Sequence, residues 1–287
     1  MPDGRARAVT MLVIGACVIG LAPILVRLSG AGPAATGFWR LLFALPLLAA
    51  PSLRQPAGLS GTSRFAVWAG VAFGLDLACW HYGITYTSVA NASVLANLTP
   101  IVVTAVAWLF FRQRPAPLFL LAVALSVAGS AVMALSKGSG ATGPNPPLGD
   151  ALSAGTSIWY AIYFLALGAA RRRQSAPHVM FWSSLTGVPL LLAIAWLLGE
   201  RMIPATAGGW AACVALGAVH TGGQGSIAWA LGRLPPATAA VTVLVQPGVT
   251  TALGWMLFGE SLTPWQAVGG AVALTGVVLA QRSNLPS

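Results

Sequence analysis

The second half of this 287-residue chain repeats its first half. At an interval of 147 residues, the twelve residues from Pro100 to Phe111 align without a gap with those from Pro247 to Phe258, and six of the twelve are identical. Other identical pairs at the same interval are Gly70 and Gly217, Ala90 and Ala237, Pro117 and Pro264, and Gly129 and Gly276. The chain is therefore predicted to fold as two similar domains, residues 1–143 and 144–287.

The composition indicates that lipid surrounds the folded chain. Hydrophobic residues make up 57% and charged residues 7%, whereas soluble domains are about a quarter charged. The net charge of +10 comes from arginines that stand singly or in short groups between apolar runs. This pattern argues against a nucleic-acid partner. The three cysteines, Cys17, Cys79 and Cys213, all lie in apolar segments, so neither a disulfide nor a metal site is predicted. No motif points to a cofactor.

Ten apolar segments are each long enough to cross about 30 Å of hydrocarbon as a helix. They cover residues 8–28, 34–52, 64–86, 90–111, 116–136, 148–169, 177–198, 208–231, 237–258 and 264–281. The connections between them are short and rich in glycine, proline and arginine. The fold class predicted from this pattern is an all-α membrane protein with ten transmembrane helices.

The distribution of arginines predicts how the ten segments are oriented. If the N-terminus is cytoplasmic, only Arg27, Lys137 and Arg201 lie outside, and the other cations between segments lie inside, as the positive-inside rule requires. Ten spans return the C-terminus to the cytoplasm. Five spans per domain give the domains opposite orientations, so we predict two inverted repeats around a central cavity. The turn after the fourth span reads Arg112-Gln113-Arg114 where it faces inward, and the matching turn reads Gly259-Glu260-Ser261.

The segment from Gln246 to Leu279 resembles the repeat motif of the drug/metabolite transporter superfamily, and within it the ten-helix EamA-type branch. The resemblance rests on Gly259-Glu260, on Gly269-Gly270 with Gly276, and on Phe38-Trp39-Arg40 in the second span. It implies a basket of helices around a central cavity, with spans five and ten at the periphery. It also implies transport of small metabolites, commonly the export of amino acids.

The third span carries Asp76, the acidic residue deepest in any predicted span, followed by Trp80, His81 and Tyr82. Intramembrane acids are functional candidates by default. Asp76 is therefore predicted to bind a substrate ammonium or to carry a proton, and a structural pair with Arg40 is the alternative. Trp80 shares the helix face of Asp76 and is a candidate stacking platform. His81 and Tyr82 turn away from that face and are also predicted to line the pathway. Packing or an outer aromatic belt is the alternative for these rings, and Arg40 is placed near the outer surface, where it can snorkel outward.

Aromatic and polar side chains also recur in the sixth and eighth spans. Trp159 and Tyr163 belong to an aromatic face whose equivalents in the first span are small, so both are predicted to line the pocket. His220 and Gln224 stand four residues apart on the eighth span. They are predicted to line the pathway, although membrane histidines also serve as hydrogen-bonding partners between helices.

Proline occupies the same place in the fourth and ninth spans. Pro100 and Pro247 each deprive the carbonyl four residues earlier of its helical donor. Beside them, Asn97 and Gln246 offer amide groups at mid-membrane depth. We predict that the prolines act as hinges and that the two amides line the substrate pathway; a simple structural kink is the alternative.

These observations together predict a secondary transporter of the bacterial inner membrane that exports small metabolites by alternating access. The family resemblance and the aromatic-rich, sparsely charged interior favour amino acids, aromatic ones included, as substrates, and the lipid bilayer and the substrate are the expected partners. Whether a proton is coupled to transport stays open. The alternatives are a sugar or nucleotide-sugar carrier, which should place more cations deep in the spans, and an uncoupled facilitator. An intramembrane enzyme is disfavoured because no paired acids or metal-ligand spacing is present.

Overall fold

The fold consists of helices that run the length of the molecule, several of them interrupted. A computed structural model describes residues 2–55, 58–87, 89–136, 143–258 and 263–283. In these ranges the α-helices are α1 (Pro2–Ile19), α2 (Ala22–Ser29), α3 (Pro33–Leu53), α4 (Arg64–Tyr86), α5 (Val89–Ala96), α6 (Thr99–Phe111), α7 (Pro117–Leu135), α8 (Pro146–Ala170), α9 (Ala176–Leu197), α10 (Ala207–Val219), α11 (Gly225–Leu231), α12 (Pro236–Val243), α13 (Gln246–Phe258) and α14 (Pro264–Arg282). A five-residue π-helical turn, His220–Gln224, joins α10 to α11.

Within the described ranges, seven helical stretches are long and apolar enough to cross a membrane. They are Gly4–Ser29, Pro33–Leu53, Asn91–Phe110, Pro117–Leu135, Pro146–Ala170, Ala176–Leu197 and Pro236–Leu257. The predicted spans 64–86, 208–231 and 264–281 are helical but more polar, because they carry side chains such as Asp76, His220 and Gln266 into the interior. The prediction of an all-helical, multi-pass membrane protein is confirmed. The arrangement as two inverted five-helix repeats stays a prediction.

Local sequence explains where several of the helices begin. The first backbone amides of a helix have no partner within it, so a polar side chain just ahead of the helix supplies one. Ser63, Asn145 and Thr206 each accept a hydrogen bond from a backbone amide of the first turn of α4, α8 and α10. Thr263 forms a reciprocal capping box with Gln266 at the start of α14.

Helices α7 and α14 form a closely packed pair. Ser126 on α7 donates a hydrogen bond to the carbonyl oxygen of Ala273 on α14, over 3.3 Å. A Cβ atom on Gly129 or Gly276 would collide with the backbone of the partner helix, so glycine at both positions lets the two backbones approach. Ser126 and Ala273 are 147 residues apart, as are the two glycines. Positions that are equivalent in the two halves of the sequence therefore contact each other.

One end of the bundle is closed by apolar packing and tied by arginines. Leu12, Phe164 and Ile227 are completely buried there. At the same end, Arg171 Nε donates to the carbonyl oxygen of Ala228 over 2.9 Å, and Arg233 lies 3.6 Å from the centre of a tryptophan ring, that of Trp229. Arg7 approaches the same ring, at 5.6 Å. Burial and the neighbouring Arg233 lower the pKa of Arg171. These contacts join the ends of α1, α8 and α11.

The opposite end is held by carboxylates. Glu200, in the loop after α9, accepts hydrogen bonds from the backbone amides of Ala34 and Ala35 at the start of α3, over 3.0 and 2.9 Å. It also accepts a hydrogen bond from the hydroxyl of Tyr82. Asp150, at the start of α8, accepts from Thr87 over 2.8 Å. These hydrogen bonds to Glu200 and Asp150 hold the rim of this end together, and a cavity lies beneath the rim.

Candidate functional site

A cavity of about 860 Å³ extends from the end of the bundle that holds Glu200 and Asp150 into its middle. Its volume is within the range of small-molecule sites, about 300–1,000 Å³. Exposed residues such as Arg27 and Thr85 lie at its mouth. Asp76 lies ten residues before the end of α4, a depth of about 15 Å along the helix axis. The polar floor is lined by Arg40, Asp76, Asn97, Thr156, Tyr160, Gln224 and Gln246, and Trp80 and Phe73 add aromatic rings.

Among the described residues, the floor carries one basic and one acidic side chain, Arg40 and Asp76, with 3% and 7% of their surfaces exposed. They are close enough to interact electrostatically. Within the described residues, however, neither a hydrogen bond nor an ion pair joins the two groups, and Arg40 Nε has no partner. The Arg40 guanidinium lies 5.5 Å from the ring centre of Phe73. Since burying charges without partners is costly, the site is suited to a ligand that supplies both a positive and a negative group.

Tyr160 on α8 lines the cavity together with Arg40 and Asp76 and is held there by residues of the second half of the chain. Its hydroxyl accepts a hydrogen bond from Gln224 Nε2 over 3.2 Å. Its ring stacks on Tyr163, with the ring centres 5.7 Å apart, and meets the edge of Phe164. These contacts fix the phenol of Tyr160 at the floor of the cavity and join helix α8 to the π turn.

The structure brings seven of the residues predicted from sequence to this cavity. Asp76, Trp80, Asn97, Gln224 and Gln246 line it, together with the two prolines, Pro100 and Pro247. Each proline lies in the first turn of a half-helix, α6 or α13, that follows a two-residue interruption of the span. The carbonyl of Ala96, which Pro100 leaves without a helical donor, accepts a hydrogen bond from the hydroxyl of Thr99 over 3.0 Å.

The other five predicted residues lie behind the cavity wall or at the rim. His81 bonds to the carbonyl oxygen of Pro33, with Nδ1 at 2.7 Å, and Tyr82 contacts Glu200, so both fix the end of α4. Tyr163 is fully buried against Phe73, at 4.7 Å between ring centres. The remaining two are Trp159, which is half-buried against the core, and His220, which contacts Ser184 Oγ at 3.1 Å.

Two residues that line the floor of the cavity were not among the pathway residues predicted from the sequence. Arg40 was expected to snorkel outward, but it is buried and points into the cavity. In span six the sequence pattern favoured Trp159 and Tyr163, whereas Tyr160, which stands between them, lines the cavity. The signal for Tyr160 was its spacing of four residues from Thr156, because both of these side chains line the cavity.

Helix α7 also departs from the expectation that spans five and ten are peripheral. Its last turns contribute Ser130, Met133 and Ala134 to the cavity near the mouth. Helix α14, in contrast, contributes no residue to the cavity within its described range. Of spans five and ten, only the tenth therefore lies outside the cavity wall within its described range.

A helical membrane protein with a deep cavity that is open at one end and has polar residues at its floor is the class that this architecture defines. The chain belongs to the EamA-like transporter family, which matches residues 6–135 and, a second time, residues 147–281. A solved crystal structure of a protein shares the fold, with a TM-score of 0.81, 17% sequence identity and 96% of each chain covered.

Three relatives are similar over most of the chain. An uncharacterized transporter of Archaeoglobus fulgidus is 26% identical over 94% of this chain and 95% of its own length. The pseudopaline exporter CntI of Pseudomonas aeruginosa is 25% identical, over 75% and 74% of the two chains. A probable terminal-alkyne amino-acid exporter of Streptantibioticus cattleyicolor is 24% identical, over 71% and 68%. The resemblance seen in the sequence is confirmed, and the chain is a transporter by family.

Proposed function

We propose that this protein exports small zwitterionic metabolites, amino acids in particular, across the bacterial inner membrane by alternating access. One observation carries the proposal: among the described residues, the buried floor holds one carboxyl group, that of Asp76, and one guanidinium, that of Arg40, and neither bonds to the other. An α-amino acid supplies an ammonium for Asp76 and a carboxylate for Arg40. The exporter names of two relatives, one of them an amino-acid exporter, support this direction and substrate class.

The proposed mechanism uses two inverted repeats of five spans each, residues 1–143 and 144–287. The two matches to the family, one in each half, support this division. So do Trp108 and Trp255, equivalent residues that are 52% and 53% exposed and occupy similar lipid-facing positions. With both termini in the cytoplasm, the cavity mouth faces outward and the arginine-tied end faces inward.

The test of this function is counterflow in proteoliposomes. Vesicles loaded with an unlabelled amino acid should accumulate the same amino acid in labelled form, and the loading should be repeated with sugars and nucleotide sugars as separate arms. Amino-acid counterflow alone supports the proposal, whereas counterflow of sugars or nucleotide sugars alone contradicts it. An imposed pH gradient distinguishes a proton-coupled carrier from an uncoupled facilitator, because only the former concentrates substrate in response to the gradient.

The sugar or nucleotide-sugar alternative is weaker on the same grounds. Phosphate recognition requires clustered cations, and among the described lining residues the cations are Arg40 at the floor and the exposed Arg27 at the mouth. An enzymatic function has no support from the relatives, which carry transporter or exporter names.

The proposed orientation predicts how introduced cysteines react. In a background with Cys17, Cys79 and Cys213 replaced by alanine, Arg201→Cys should react with an impermeant maleimide in intact cells. Arg173→Cys, the matched position at the other end, should react only after the cells are permeabilised. The reverse pattern would contradict the topology. Glu260, the sequence-predicted outer marker, lies outside the described residues, as does Lys137.

Trp80 is expected to favour aromatic substrates. It lines the cavity on the same helix face as Asp76, so its ring can stack on the side chain of a bound amino acid. Replacing it with alanine should weaken phenylalanine relative to alanine by about 1–3 kcal/mol in competition assays. Trp68, a tryptophan of the same helix that is 59% exposed and absent from the cavity, is the matched control. Equal losses for both amino acids would assign Trp80 to packing.

A further inference from the structure

The π turn at His220–Gln224 interrupts the eighth predicted span at the depth of the cavity floor. The equivalent stretch of the first half, 147 residues earlier, lies within the continuous helix α4 and includes Asp76. One extra residue in a helical turn rotates everything after it by about 100°. The side chain at the end of the turn, Gln224, thereby faces a different direction from the one that continuous α-helix would give it.

Close packing by helix α1 supports this turn. A Cβ atom on Gly15 of α1 would lie 2.7 Å from the carbonyl oxygen of Gly223, and a Cβ on Gly223 would lie 2.7 Å from Ile19. Both positions therefore need glycine for α1 to lie directly on the backbone of the turn. π turns are rare and frequently occur at functional sites. This one packs against α1, and both Gln224 of the turn and Ile19 of α1 line the cavity.

Gln224 is 2% exposed and lines the cavity. One end of its amide is used, because Nε2 donates to the hydroxyl of Tyr160. The other end, Oε1, is buried and has no hydrogen-bond partner. A buried acceptor is expected to receive a hydrogen bond. The unpartnered Oε1 of Gln224 therefore indicates that its donor belongs to the ligand.

We propose that Gln224 determines substrate specificity by accepting a hydrogen bond from the substrate ammonium, together with Asp76. This inference rests on the proposed function, since it assumes a zwitterion at the floor. Gln224 supplies an acceptor without adding charge, so the floor keeps one anion and one cation and selects ligands with no net charge. The identity of this one side chain then determines whether zwitterions or cations are preferred.

The test replaces Gln224 with glutamate, which retains an acceptor oxygen and adds a negative charge. Three probes share the phenylalanine side chain and differ in net charge: phenylalanine is a zwitterion, phenylalaninamide a cation and N-acetylphenylalanine an anion. We expect the wild type to prefer phenylalanine and Gln224→Glu to shift the ratio toward phenylalaninamide by about tenfold or more. The control is Gln266→Glu, a buried glutamine of α14 outside the cavity, which should leave the ranking unchanged.

A second variant keeps the proposal testable if the glutamate variant fails to fold. Gln224→Met has a similar length and no acceptor oxygen, so phenylalanine affinity should fall about tenfold, as expected for a lost hydrogen bond to a charged group. Unchanged affinity in this variant, or an unchanged probe ranking in a folded Gln224→Glu variant, overturns the role of Gln224. If the wild type transports none of the three probes and shows no counterflow of any other amino acid, the proposed function itself fails, and the two failures are thereby distinguished.

Discussion

Replacing Asp76 with asparagine is expected to reduce transport about 10- to 100-fold while the protein still folds. The substitution nearly preserves shape and removes the charge that would bind the substrate ammonium. A hydrogen bond to a charged group contributes about 1.5–3 kcal/mol, which sets the size of the loss. Transport is measured by counterflow in proteoliposomes, and folding by monodispersity and thermal unfolding in detergent.

The matched control for this substitution is Asp150→Asn. Asp150 is an acid at the start of α8, outside the cavity, and the amide oxygen of asparagine can still accept the bond from Thr87. We expect transport close to that of the wild type. If Asp76 also carries a proton, the wild-type rate should vary with pH and the rate of Asp76→Asn should not. A folded Asp76→Asn variant with the wild-type rate at every pH would assign Asp76 to structure.

The helical, membrane-spanning character of the fold was predictable because it depends on composition and segment length. With so few charged residues, backbone groups in lipid must be satisfied within helices. The interruptions of the fourth and ninth spans were predictable from Pro100 and Pro247, since proline removes a helical donor at a known position. The tight contact of α7 and α14 was signalled by Gly129 and Gly276, an identical pair in the repeat.

The direction of individual side chains was harder to predict. On α8, adjacent side chains point about 100° apart. A small error in the assumed helix rotation was therefore enough to select Trp159, which lies outside the cavity, in place of Tyr160, which lines it. The hydrogen bonds from His81 to Pro33 and from Tyr82 to Glu200 could not be predicted either, because they join residues that are distant along the chain. The π turn was unpredictable for a similar reason: its glycines allow it, but the packing of α1 on Gly223 holds it.

Arg40 shows how tertiary structure overrides a depth argument. Its position seven residues after Pro33 places it near one end of α3, where a long cationic side chain in lipid would snorkel outward. Folding instead places α4 beside it, so the guanidinium lies over Phe73 and close to Asp76. The hypothesis that Arg40 is a carboxylate anchor therefore depends on its surroundings in three dimensions, which its depth along the helix does not reveal.

Straightening the two interrupted spans is expected to slow transport at least about tenfold while changing thermal stability little. In Pro100→Ala and Pro247→Ala, the new backbone N–H can donate to the carbonyl of Ala96 or Val243, and the interruption before α6 or α13 can close into continuous helix. A continuous helix lacks the flexible joint at which its two halves would reorient between the outward-open and inward-open states. Counterflow rates measure the first effect, and thermal unfolding in detergent measures the second.

Pro117→Ala provides the control for the hinge hypothesis, because Pro117 begins the uninterrupted helix α7 and belongs, like the hinge prolines, to an identical pair in the repeat. At the first position of a helix, proline replaces no hydrogen bond, so this variant should transport at the wild-type rate. If all three variants lose transport and stability in equal measure, the prolines serve folding alone. Loss confined to Pro100→Ala and Pro247→Ala, with unfolding temperatures near that of the wild type, would locate the conformational switch at the two interruptions that border the cavity floor.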